Sequence, residues 1–173
     1  EYGGRVSSIM DIKTKDGNKK RLQGKLSSNT FGSKLLVEGP LKKGGGTTFL
    51  FSGKTSYLDK TSESLYNFNF SMPYSYTDLY GKFSFHGGNG SKLNIFGFNF
   101  TDQVNYQYIS DLKWDSKGVG SQFILVPGNS PILIEGNFAF SNYSITMKEA
   151  ASHIRSSEIV GFNLGFDFTY FLA

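Results

Sequence analysis

The chain has 173 residues, enough for one domain with a substantial core; it is rich in glycine (21) and aromatic residues (16%) and poor in charge (18%, against an ordinary ~25%). Aromatic side chains spread along the whole length exclude a disordered polypeptide, and 38% hydrophobic residues with a mean hydropathy of −0.28 exclude a helical membrane protein. The absence of Cys removes disulfides, thiolate metal sites and cysteine nucleophiles together, and a net charge of +4 with dispersed Lys and Arg gives no footprint for a nucleic-acid partner.

The sequence opens Glu1-Tyr2-Gly3-Gly4, without an initiator Met, a basic n-region or an apolar h-region. A secretory signal, if there is one, is expected to have been removed or to lie outside this piece. No window of 18 apolar residues offers a transmembrane helix.

Period-two alternation is the dominant pattern, and helical periodicity is almost missing. Residues 22–30 and 34–41 read as two strands about a tight Phe31-Gly32-Ser33 connection, and 42–46 closes the next turn. Phe49, Phe51, Gly53, Thr55 and Tyr57 then alternate with Leu50, Ser52, Lys54 and Ser56. Leu79, Gly81, Phe83 and Phe85 alternate with Tyr80, Lys82, Ser84 and His86, and Gly87-Gly88-Asn89-Gly90-Ser91 is a turn. Residues 92–106 are ambiguous, because Leu93 and Ile95 share one face while Phe96, Phe98 and Phe100 share the other. A further strand runs over 118–127, and Gly128-Asn129-Ser130-Pro131 turns the chain into another over 132–147. The last strand is the clearest: Val160, Phe162, Leu164, Phe166, Phe168, Tyr170 and Leu172 alternate with Gly161, Asn163, Gly165, Asp167, Thr169, Phe171 and Ala173. Such a run is long enough to cross ~25 Å of hydrocarbon.

About eight antiparallel strands are therefore expected, joined by two kinds of connection. Short turns at 42–46, 87–91 and 128–131 would lie at one end. Longer connections at 60–75, 107–117 and 149–158 would lie at the other, with 31–33 as the exception. That asymmetry is the plan of outer-membrane barrels. A soluble sandwich or lipocalin-like barrel carries the same alternation, but it seldom sustains it for a dozen residues.

Two segments carry a family resemblance. The run from Tyr2-Gly3-Gly4-Arg5-Val6 through Ile9-Met10-Asp11-Ile12-Lys13-Thr14-Lys15 to Asp16-Gly17-Asn18 resembles the end of the plug domain in TonB-dependent outer-membrane receptors, particularly those of Bacteroidetes-type bacteria. At a matching distance, Val37-Glu38-Gly39-Pro40-Leu41 resembles the segment that ends their second barrel strand. The resemblance implies an all-β, antiparallel transmembrane β-barrel, this chain forming part of a plugged barrel of ~22 strands in the bacterial outer membrane. Residues 1–18 would be the C-terminal end of the plug and its linker, and 19–173 the N-terminal portion of the barrel. It further implies binding and import of a scarce large solute (a siderophore, glycan, peptide or cofactor) by rearrangement of the plug. The implied partners are outer-membrane lipid, the rest of the barrel or a complementing chain, a TonB-type energy-coupling protein reached through a region not present here, and surface lipoproteins. Eight strands of so large a barrel would leave two open edges, so the chain is expected to be a piece of a longer polypeptide or part of a split barrel. Two alternatives stand beside this one: a receptor-like barrel serving as a structural subunit of a lipoprotein assembly, and a free-standing eight-stranded outer-membrane barrel.

No catalytic constellation, metal site or cofactor motif is legible, so the chain does not read as an enzyme. His86 and His153 are far apart and read as ordinary polar positions, His86 on the lumen side and His153 in a loop. There is no G-x-S-x-G elbow. Gly88-Asn89-Gly90 has no helix after it and is a turn rather than a phosphate cradle. Asp11 and Asp16 read as a solvated strand end and a turn residue. In a plugged barrel, Arg5 and Glu38 are candidates for a plug–wall ion pair. The aromatics of residues 63–76, above all Tyr66, Phe68, Phe70 and Tyr74, are candidates for contact with a ligand or partner lipoprotein, or for an aromatic girdle packing on itself. Tyr57, Tyr106, Tyr143 and Tyr170 share that ambiguity.

Overall fold

The computed structural model describes residues 13–44, 46–66, 72–106, 110–128, 131–149 and 154–172. They form one antiparallel sheet of eight strands in chain order: β1 (Gln23–Ser28), β2 (Gly32–Pro40), β3 (Thr47–Ser56), β4 (Tyr74–His86), β5 (Lys92–Tyr106), β6 (Ser110–Leu125), β7 (Ile132–Glu149) and β8 (Ile154–Tyr170). Each strand pairs with its sequence neighbours, and β1 and β8 are the two edges. The expected all-β class and strand count are both present.

The connections differ from the expected plan. Strand β6 begins at Ser110 and β8 at Ile154, so only 107–109 and 150–153 separate them from the preceding strands. The polar stretch 110–117, read as loop, is strand because its charges occupy one face only. Asp111, Lys113, Asp115 and Lys117 alternate with Leu112, Trp114 and Ser116, and the charged side is tied across strands. Thr101 Oγ1 donates to Asp115 at 2.9 Å, Gln103 Nε2 donates to Asp111 at 3.0 Å, and Lys113 pairs with Asp115 at 3.0 Å. Only the 57–73 connection is long, and it contains a helix, α1 (Leu58–Tyr66), that the alternation rule does not reveal. Its signature was local: Asp59 in the first turn. The first hairpin turns at 29–31 rather than 31–33, because Asn29 Oδ1 accepts from the backbone N–H of both Phe31 and Gly32.

The face that carries residues 13–18 is called inner here, and the opposite face outer. Register then sorts the side chains. One row across the outer face reads Ser28, Ser33, Thr55, Thr77, Thr101, Asp115, Ser144, Glu158, polar on every strand. Two rows closer to the short turns it reads Gly24, Val37, Phe51, Gly81, Gly97, Val119, Phe140, Phe162. The row after that contains Phe49, Phe83, Ile95, Phe138 and Leu164. An apolar belt thus covers the outer face from the short turns upward, and a polar zone begins above it. Among the described residues the belt is left open: Phe51, Phe83, Val119, Phe162 and Phe168 are all exposed.

The interior is inverted. Leu50 is the single buried large hydrophobic among the described residues, whereas Glu38, Thr48, Ser62, Lys82, Ser84 and Asn94 are buried. Ordinary soluble domains bury the first kind and expose the second. The ambiguous strand β5 is resolved by the same register: Leu93 and Ile95 join the outer belt, and Phe96, Phe98 and Phe100 face inward. Glycine makes that possible. A Cβ at Gly118 would lie 2.8 Å from the Phe98 ring, and one at Gly120 would lie 2.6 Å from the Phe96 ring, so each ring lies over its cross-strand glycine.

Candidate functional site

Residues 13–18 cross the inner face of β2–β5, fixed at nearly every position. Thr14 Oγ1 bonds the Tyr80 hydroxyl at 2.7 Å, and its carbonyl accepts from Lys82 Nζ at 2.9 Å. Lys15 Nζ reaches the buried Glu38 carboxylate at 2.8 Å, and Gln23 Nε2 donates to the same oxygen. Asn18 donates to Gln23 and accepts from the backbone N–H of Lys20 and Arg21, turning the chain toward β1. Gly17 lies so close to β3 that a Cβ there would fall 2.1 Å from the Phe49 carbonyl oxygen. Backbone on both sides cannot yield, so Gly17→Ala is expected to lift the segment from the sheet; amide hydrogen exchange of residues 14–18 would rise toward unprotected rates while that of β5–β7 stays unchanged.

Asp16 is the centre of the contact. Its Oδ1 accepts from Lys82 Nζ at 2.9 Å and Ser84 Oγ at 3.1 Å; its Oδ2 meets Lys92 Nζ at 2.6 Å and His86 Nε2 at 3.3 Å. Lys82, Ser84 and His86 alternate along β4, and Lys92 is the cross-strand partner of His86, so four donors converge on one carboxylate. Burial of the carboxylate opposes its ionisation, but hydrogen bonds and charge from Lys92 and Lys82 more than offset this and hold Asp16 well below the usual carboxylate range. The expectation of Asp16 as a turn residue is therefore corrected: it is the carboxylate on which the inner-face donors converge. The missed signal was the alternation itself, which put Lys82, Ser84 and His86 on the face opposite Phe83 and Phe85.

A groove of about 510 Å³ opens beside this cluster, lined by Lys82, Lys92, Asn94, Phe96 and Gln122. Its far wall carries Glu135 and Asp167, which are direct cross-strand neighbours. Along one row the inner face reads His86, Lys92, Ile124, Glu135, Asp167, cationic at one end and acidic at the other. Asn94 is buried and its Oδ1 has no hydrogen-bond partner, as is true of His86 Nδ1.

Of the residues singled out from the sequence, Glu38 lies on the inner face and receives its cation from Lys15; Arg5 lies outside the described residues. Phe68, Phe70 and the Tyr66 side chain lie outside them as well. Tyr74 stands on the inner face at the far end from the short turns, its hydroxyl donating to Asp102 at 3.1 Å and its ring 5.8 Å from that of Tyr76. The Tyr57 hydroxyl bonds the carbonyls of Asn29 and Gly32 and clamps the first hairpin. Asp11 and His153 are outside the described residues, which hold no group of three or more His, Asp or Glu side chains arranged for a metal ion. Among the described residues no helix is long and apolar enough to cross a membrane, which says nothing of strands. No protein-family model matches the chain, and no curated protein or solved structure matches it.

Proposed function

We propose that this sheet is part of the wall of an outer-membrane β-barrel, with residues 13–18 belonging to a segment that lies inside it. The observation that carries the reading is the inversion of the sheet: an exposed apolar belt continuous over eight strands, backed by a face whose buried side chains, Leu50 apart, are polar. The belt abuts the short turns, and the strands continue beyond it as a polar zone, as in barrels with tight turns on one side of the membrane and strands protruding on the other. Its lower edge also slides along the register, from Phe49 and Phe85 on β3 and β4 to Ile132 and Tyr170 on β7 and β8, as strands inclined to the belt require. The open edges β1 and β8 need further strands, from the same polypeptide or a complementing chain.

Within that wall the sequence resemblance to TonB-dependent receptors gives the fuller proposal: a transporter of a scarce large solute in which the segment ending at Asn18 is the last part of a movable plug. The ion cluster at Asp16 supports it, because a segment held by side-chain contacts rather than by a strand ladder can leave without unravelling the wall. Reconstitution tests the first step. The full-length protein is expected to partition into phospholipid vesicles and to migrate differently on gels with and without boiling; full recovery in the aqueous phase after detergent removal would reject the membrane reading. Uptake that vanishes when the energy-coupling system is deleted is the expected result for the transporter, and unaffected uptake would favour a scaffold or passive barrel.

A further inference from the structure

The contacts around Asp16 have the form of a binding site already filled. Two ammonium groups, a hydroxyl and an imidazole nitrogen are arranged around both oxygens of one carboxylate, at 2.6–3.3 Å. All four come from strands β4 and β5, and their occupant comes from a different segment. Removing the occupant would leave the donors where they are, because they stand on paired strands. The charge is also unbalanced: Lys82 and Lys92 together carry two positive charges against the single charge of Asp16. No second acid is paired with either lysine among the described residues. Glu38 is occupied by Lys15, and Glu135 and Asp167 stand two and three strands from Lys92 along its row. Beside the cluster is the groove, and on its wall the buried Asn94 with an unsatisfied Oδ1.

We infer that Lys82, Ser84, His86 and Lys92 form an oxyanion-binding site on the inner face, for which the Asp16 carboxylate is a displaceable, built-in ligand. A solute presenting one carboxylate or phosphate group would enter by the groove and take the place of Asp16, and its arrival would free residues 13–18 from the wall. The acids at the groove's far end disfavour a second anionic group there, so the fitted ligand is an oxyanion with a neutral or cationic remainder. This rests on the proposed function only in requiring that the inner face be wetted.

The test uses the full-length protein in detergent, so its outcome is independent of vesicle insertion. Inorganic phosphate and acetate are titrated at pH 7 against chloride of matched ionic strength, while hydrogen exchange of residues 14–18 is followed. The expected result is a saturable rise in exchange with phosphate, acetate or both, and none with chloride. Which probe works distinguishes a phosphate-bearing from a carboxylate-bearing solute. Because the tethered carboxylate competes at an effective concentration in roughly the millimolar range, Asp16→Asn is expected to bind the effective probe about ten-fold more tightly by calorimetry, and Lys92→Gln to lose that binding. Equal responses to chloride, phosphate and acetate in the wild-type protein would overturn the inference even if neither variant folds. Unchanged affinity in Lys92→Gln would overturn it as well.

Discussion

Phe83→Arg is expected to destabilise the protein by about 2–4 kcal/mol in lipid, the cost of a cation near the middle of a bilayer. The sign is what makes the experiment informative. Phe83 is 48% exposed, and it lies in the middle of the belt between Phe49 and Ile95. In a water-soluble sheet, exchanging a half-exposed aromatic for a charged residue leaves stability within about 0.5 kcal/mol or improves solubility. The two readings therefore differ by a large factor in the folding equilibrium constant, about 30-fold to nearly 1,000-fold for the stated range. Denaturant titration of the protein folded into vesicles measures it. Ser84→Arg, one residue along on the inner face, is not a suitable control because Ser84 is buried against Asp16; Asn137→Arg, which is exposed on the inner face, is. Asn137→Arg is expected to change stability by less than a quarter of the Phe83→Arg effect.

Asp16→Ala is the second large effect, and it is local. Lys82 is 5% exposed and loses its carboxylate, which for a buried pair costs about 3–5 kcal/mol. The protein can avoid most of that cost by releasing residues 13–18 and letting water reach the lysine. The expected result is therefore loss of exchange protection and new proteolytic cleavage over residues 13–22, with the β4–β7 ladder intact. The same pair sets a pH dependence. Because the Asp16 carboxyl is lowered in the folded state, its contribution is fully present above the unfolded value, 3.8, and is lost as the pH falls through the lower folded value. Attachment of the segment is expected to be unchanged between pH 7 and pH 4 as far as Asp16 governs it. Release beginning near pH 5 would show that Asp16 is not held as described.

What the sequence made legible was the part of the fold that repeats. Phe49 and Phe51, Phe83 and Phe85, and the run from Val160 to Tyr170 announce their strands because one face is uniformly apolar and the other is not. Residues 110–117 did not, since both faces there carry polar groups and only the cross-strand bonds of Asp111 and Asp115 identify a strand. Helix α1 was hidden for a related reason: nine residues are too few for a periodic signal. The site was legible by halves. Glu38 stood out as a charge in a strand ending in Pro, but its partner Lys15 did not, because nothing local relates them across 23 residues. Asp16 looked like any Asp before Gly. Its four donors lie 66 to 76 residues away, and only the pairing of β4 with β5 assembles them.

Whether one face of this sheet meets lipid and the other water is decided by a cysteine scan, for which a chain without Cys is suited. Single substitutions at Ile134, Phe138 and Phe140, and at Glu135, Asn137 and Ala139, each carry a nitroxide label in vesicles. A period of two is expected, with high oxygen and low water-soluble-reagent accessibility at the first three and the reverse at the other three. Equal access of the water-soluble reagent to both sets would contradict it.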